Sequence, residues 1–163
     1  MDYMEEFKIP EDALEKLLDP RLLTKQFKEG KNFQEILGYS DETMEKFYQV
    51  GYNFFQKQNY EKSAEIFTFL TTLNPTVFNY WLGLGMAEQL LEEYHSALLA
   101  YAMAAMVDVS HPLPHYHTAS CYRSILDDTS AISSLDLCIL NATEKEEFEE
   151  LLELAQKAKS QLE

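Results

Sequence analysis

The chain has few of the residues that punctuate or cross-link a fold. Five glycines and five prolines in 163 residues leave little material for long irregular connections and suit helices joined by short turns. The two cysteines, Cys121 and Cys138, fit no metal-binding or redox spacing. They read as buried, reduced thiols packing like small apolar side chains, with a disulfide disfavoured in a reducing compartment. Positive charge is also scarce. Thirteen lysines and arginines against 28 acidic residues give a formal charge of -15, which excludes the basic surface that phosphate recognition or anionic lipid requires. No apolar run approaches the ~20 residues of a membrane span. Met1-Asp2-Tyr3-Met4-Glu5-Glu6 has neither the basic start nor the apolar core of a signal peptide, so a cytoplasmic location is expected. There is no phosphate loop, nucleophile elbow, EF-hand pattern or pair of catalytic acids. His111, His115 and His117 cluster, but residues two apart on a helix face different directions, and no carboxylate or cysteine completes a ligand set. Neither an enzyme nor a cofactor is expected.

What the chain does have is apolar content of 46%, enough for one folded domain with a real core, and an internal repeat. Phe47-x-x-Val50-Gly51 matches Trp81-x-x-Leu84-Gly85, with 34 residues between the glycines. Tyr60 and Tyr94 follow nine residues after each glycine, and Phe67 and Tyr101 sixteen after. This period is the signature of tetratricopeptide repeats, stacked pairs of antiparallel helices. With Met44 and Phe78 as first positions, helix A of each repeat turns positions 4, 7, 8 and 11 to its partner. These are Phe47, Val50, Gly51 and Phe54, then Trp81, Leu84, Gly85 and Glu88. Helix B answers with Ser63, Phe67 and Leu70, then Ala97, Tyr101 and Ala104. Pro75 stops the first helix B; Val109 stands where the second repeat would have its proline. A degenerate third copy starts at Pro112, with His115, Thr118, Ala119 and Tyr122 facing Ala131, Leu135 and Cys138.

The expected architecture is therefore all-α: an N-terminal helical arm over 1–43, three repeats over 44–77, 78–111 and 112–142, and a C-terminal capping helix over 143–163. In the arm, a helix from Pro10 to about Leu18 carries Leu14, Leu17 and Leu18, and Asp19-Pro20 breaks it or starts another. Those leucines need a partner surface, either the first repeat or another subunit. Gly38 reads as a helix C-cap and Ser40 as the N-cap of the first repeat. Thr143-x-x-Glu146 reads as a capping box opening the last helix.

Stacked helix pairs curve, and positions 2, 5, 9 and 12 of the A helices are left on the concave side. They are Glu45, Tyr48, Tyr52 and Phe55; Asn79, Leu82, Met86 and Gln89; and Leu113, Tyr116, Ser120 and Arg123. A solvated face would be polar. This one is aromatic and aliphatic, which suits a groove for an extended, largely apolar peptide.

Two stretches carry a family resemblance. Gly30-x-x-Phe33-x-x-Ile36-x-Gly38-Tyr39-Ser40 followed by Met44-Glu45-x-Phe47-Tyr48, and Val107-Asp108-Val109, Pro112 and His117-Thr118-Ala119-Ser120-Cys121, resemble the class II chaperones of bacterial type III secretion. Those chaperones serve the hydrophobic translocator proteins. The resemblance covers roughly residues 30–138. It implies three repeats, no enzymatic activity, and a concave groove holding a short extended segment of a translocator with spaced proline and leucine anchors. It places the family's groove aromatics on Tyr48, Tyr52, Phe55, Tyr60 and Tyr101, beside Leu82, Met86, Gln89 and Tyr116 from the concave face. It also implies a homodimer through the N-terminal helix, with Leu14, Leu17 and Leu18 as contacts. The runner-up is a scaffold or adaptor subunit of the secretion machinery. A clamp for the acidic tail of a heat-shock protein fits poorly, because Tyr48 and Tyr52 stand where lysine and asparagine are needed.

Overall fold

The computed structural model describes Ile9 and residues 11–163. Pro10 as a helix start and the Met1–Glu6 run lie outside them. Among the described residues the fold is all-helical: α1 (Glu11–Leu18), α2 (Pro20–Lys28), α3 (Phe33–Leu37), α4 (Asp41–Gln56), α5 (Tyr60–Leu73), α6 (Phe78–Leu90), α7 (Tyr94–Val107), α8 (Leu113–Ser124), α9 (Asp128–Ala142) and α10 (Glu149–Ser160), with a 3-10 turn at Glu146–Phe148. The pairs α4/α5, α6/α7 and α8/α9 stack in order, and α10 packs on α9.

The glycines at repeat position 8 sit where helices meet. A Cβ on Gly51 would lie 3.1 Å from Ile66 Cγ2, and one on Gly85 only 2.5 Å from Tyr101 Cε1. Ser63 is fully buried and donates to the Gly51 carbonyl at 3.0 Å. Phe47, Phe67, Leu70, Tyr101, Ala97 and Ala104 are all buried, as their helical spacing requires. The third pair has the same inner face, with Ala119, Ala131, Leu135 and Cys138 closed from solvent. Both thiols are free and buried, and burial pushes each up to about 11.

The turn inside each pair repeats at the backbone level. Gln58, Glu92 and Leu126 have φ of 59°, 63° and 63°, left-handed values that non-glycine residues adopt at a cost. In each turn the residue that follows donates to a carbonyl five residues back: Asn59 to Phe54, Glu93 to Glu88, and Asp127 to Tyr122, at 2.9, 3.0 and 2.9 Å. These bonds close the carbonyls that a helix end leaves open. Asn59 and Asp127 then cap the next helix through Lys62 N and Ser130 N.

Ahead of the repeats, Asp19 caps α2 with Pro20 at its first position. Asn32 and Glu35 form a reciprocal capping box on α3, and Gly38 ends it at φ 73°. Ser40 caps α4 through Thr43 N at 3.2 Å. The buried Gln34 joins this approach to the array. It donates to Asp41 Oδ1 at 2.8 Å and accepts from Asn74 Nδ2 at 2.7 Å. Within the arm, α1 packs on α2 and α3, and Ala13 is fully buried in the cluster that runs on through α4–α6, with Leu17 packed against it. Leu14 and Leu18 remain 43% and 81% exposed.

One expectation fails at the C-terminus. Thr143 does not open the last helix. It ends α9, its hydroxyl donating to the Ile139 carbonyl at 2.7 Å. Glu144 then turns left-handed at φ 64°, and α10 begins only at Glu149. A threonine hydroxyl can bond back one helical turn as readily as forward. Here the apolar period of α9, running through Cys138 and Ala142, holds it in the earlier helix.

A candidate peptide-binding groove

On α4, Tyr48, Tyr52 and Phe55 follow one another at helical spacing along the face turned to α6. On α6, Asn79, Leu82 and Met86 face back. Together they line a cavity of about 220 Å³, with Gln56 at its rim and Phe67 and Gly83 among its walls. Gly83 matters because a Cβ there would lie 2.5 Å from Phe67 Cε1 and Cζ. The sequence holds the cue. Two glycines inside one helix, Gly83 and Gly85, each cost about 1 kcal/mol against alanine, so each needs a close approach to justify it. Only Gly85 has a repeat partner in Gly51.

The aromatics form two ring clusters, one around Tyr48 and one joining Phe55 to Tyr60, which itself lies outside the cavity lining. The Tyr48 ring meets Phe67 edge-on at 5.8 Å and lies 6.1 Å from Tyr80. Phe55 meets Tyr60 at 5.4 Å. Burial raises the Tyr48 phenol above its ordinary range, and Glu45 and Tyr52 raise it further. Tyr80 is raised by burial, then by Glu45 and Asp41. Both stay neutral at physiological pH. Tyr52 is 45% exposed, a large apolar surface with a hydroxyl open to solvent.

The remaining candidates sit differently. Tyr101 is fully buried and stacks on His117 at 5.2 Å and 12°. Its hydroxyl donates to Gln89 Oε1 at 2.7 Å, and Gln89 Nε2 donates to Ser120 Oγ at 3.1 Å. Tyr101 therefore reaches the concave side through Gln89, which it orients, and Gln89 bridges the second and third pairs. Tyr116 lies further along, in a smaller hollow of about 60 Å³ with Ser120, Arg123 and Ala158 of α10. The histidines take packing positions. Burial lowers His117 to about 4. His111 lies between Phe78 and Phe148, at 4.5 and 4.9 Å. Among the described residues no group of three or more His, Cys, Asp or Glu could hold a metal.

No family model matches the chain. It is 30% identical over 112 residues to the low calcium response locus protein H of Yersinia pestis, spanning 69% of this chain and 67% of that protein. The type III secretion translocator chaperone SycD of Yersinia enterocolitica, solved with a peptide of the translocator YopD, superposes with a TM-score of 0.73 at 28% identity, over 76% of this chain and 94% of that one. The chain belongs to the type III secretion translocator chaperones. A chain of a type III secretion complex from Aeromonas hydrophila superposes with a TM-score of 0.83 at 25% identity, covering 88% of this chain and 95% of the other. SycD has also been solved as an alternative dimer. Like other translocator chaperones the chain is built of stacked helix pairs, and among its described residues no helix is long and apolar enough to cross a membrane.

Proposed function

We propose that this chaperone holds a hydrophobic translocator by a short extended segment laid in the groove between α4 and α6. The observation that carries the reading is the cavity itself, about 220 Å³ walled by Tyr48, Tyr52, Phe55, Leu82 and Met86 and lined by no charged side chain. The YopD peptide bound to SycD supports the class of ligand. Proline and leucine suit such a site: each buried apolar side chain contributes about 1.5–3 kcal/mol, and proline limits the entropy lost when the segment orders. Ordering an extended segment costs about 2–5 kcal/mol, which offsets much of what two or three anchors contribute and keeps the affinity moderate. The hold is reversible, as a cargo bound for export requires.

The consequence is a cytoplasmic holding role. A translocator carries segments meant for a membrane, and in the producing cell these aggregate or insert early unless sequestered. The chain itself performs no chemistry. Leu14 and Leu18, left open on the arm with Leu17 beneath them, form the proposed dimer contact, as the dimer of SycD supports.

The test is a fluorescence titration with a labelled peptide from the N-terminal region of the translocator of the same organism. Tyr52→Ala and Tyr48→Ala/Tyr52→Ala should weaken binding at least about tenfold with the helical circular-dichroism signal unchanged. Undiminished binding by both variants would remove the cargo from this groove.

A further inference from the structure

The groove has a charged end. Of the concave positions on α4, α6 and α8, Arg123 is the only cation; Glu45, at the other extreme, is the only anion. Arg123 is exposed at the rim of the small hollow it shares with Tyr116 and Ser120. Among the described residues its guanidinium has no ion-pair or hydrogen-bond partner. Asp127, four residues on and past the turn, caps α9 instead: Oδ1 accepts from Ser130 N at 3.0 Å and Oδ2 from Ser130 Oγ at 2.7 Å. The free arginine stands out in a chain of net charge -15, where a carboxylate on a ligand is repelled almost everywhere else.

We infer that Arg123, with the hydroxyls of Tyr116 and Ser120 beside it, forms a carboxylate subsite that reads one acidic side chain of the cargo segment and so fixes the direction in which that segment lies. This rests on the groove reading above and extends it. The spacing follows from helix packing. The α4 and α6 helices touch through Tyr48 and Tyr80, and α6 and α8 through Gln89 and Ser120. Helix axes in contact lie about 8–10 Å apart, so from the cavity midway between α4 and α6 to Arg123 on α8 is roughly 12–15 Å. An extended chain rises about 3.3 Å per residue. The acidic residue therefore falls about four or five residues from the apolar anchor seated against Tyr52 and Met86. At the opposite end, Asp41 and Glu45 beside Tyr48 and Tyr80 favour a neutral or basic flank. Guanidinium and carboxylate pair in two parallel hydrogen bonds, which gives geometric selectivity that lysine lacks.

The test uses fluorescein-labelled host peptides with one leucine, flanking prolines and a serine-alanine background. A single aspartate, asparagine or lysine is walked through the positions on either side of the leucine. Against the unaltered protein, aspartate four or five residues to one side should bind about tenfold tighter than lysine. Arg123→Glu should reverse that preference at the same position and nowhere else; Arg123→Lys should keep its sign and reduce it. Peptides whose binding is lost in Tyr52→Ala but is indifferent to charge at every position would overturn the subsite and leave the groove standing. An aspartate preference that survives Arg123→Glu would do the same. Binding that responds to neither Tyr52→Ala nor Arg123→Glu would overturn both.

Discussion

Replacing Gly85 by alanine isolates the contact that closes the second repeat. Alanine is the better helix former by about 1 kcal/mol, so without a clash the variant would be more stable. The new Cβ, however, would lie 2.5 Å from Tyr101 Cε1, 2.7 Å from Cδ1 and 2.9 Å from Cζ. The ring cannot step aside. It is fully buried, its face is stacked on His117, and its hydroxyl is bonded to Gln89. Overpacking of this kind costs about 1–3 kcal/mol, and a pinned ring belongs in the upper part of that range. The net loss is then about 1–2 kcal/mol. For a domain of this size each kcal/mol moves Tm by about 2–4 °C, so a fall of about 2–8 °C is expected in a thermal melt. Gly51→Ala is the control. Its nearest neighbours are the Cγ2 methyl of half-buried Ile66 at 3.1 Å and the edge of the buried Phe67 ring at 3.3 Å, which need give by only a few tenths of an ångström, so the loss should be smaller than at Gly85. A Gly85→Ala protein as stable as the parent, or more so, would refute the claim that close approach at this glycine sets the helix spacing.

Tyr101→Phe removes the hydroxyl that holds Gln89. It should cost about 1 kcal/mol in urea unfolding and leave the Gln89 carbonyl oxygen without that donor. Acid should weaken the fold through His117. Its folded-state value of about 4 lies below the ordinary 6.5, so as pH falls the unfolded chain takes the proton first. The stability it confers is complete above pH 6.5 and lost towards pH 4, by roughly 3 kcal/mol in all. The urea midpoint of His117→Gln should vary less over that window than the parent's; equal variation would remove His117 as the cause. Leu126→Asn should stabilise by about 0.5–1 kcal/mol, because Leu126 is 89% exposed and held at φ 63°, a conformation asparagine tolerates better. An unchanged melting temperature would show that the turn carries no such strain.

The repeat architecture was legible because its physics is periodic. Small residues at Gly51, Gly85 and Ala119, and large ones at Phe67 and Tyr101, recur at the spacing of one helix pair, and burial follows that spacing. The concave aromatics were legible for the same reason: once the packed face of α4 is assigned, Tyr48, Tyr52 and Phe55 have nowhere else to point. What escaped has no periodic signal. Gly83 has no counterpart in the first repeat, and its role depends on where the Phe67 ring comes to rest. Gln58, Glu92 and Leu126 share a backbone conformation but no side-chain chemistry, so the turn is imposed by the helices it joins. Tyr101 was read both as core and as groove; its ring is core, and only its hydroxyl reaches outward, through Gln89. Thr143 was misread because Ser/Thr-x-x-Glu is a local pattern, and the choice between capping forward and bonding back is decided by the packing of α9. Within the arm, spacing alone could not apportion the leucines between the first repeat and a second subunit.

The most direct measurement is site-specific photo-crosslinking inside the complex with the full-length translocator. A benzophenone amino acid replaces Met86 in the groove or, as a control, Leu99 on α7, which is 66% exposed and lies on a B helix away from the cavity. The expected result is a crosslink from position 86 to the N-terminal region of the translocator and none to that region from position 99. Crosslinking of that region from position 99 with position 86 silent would contradict the assignment of the cargo to the concave face.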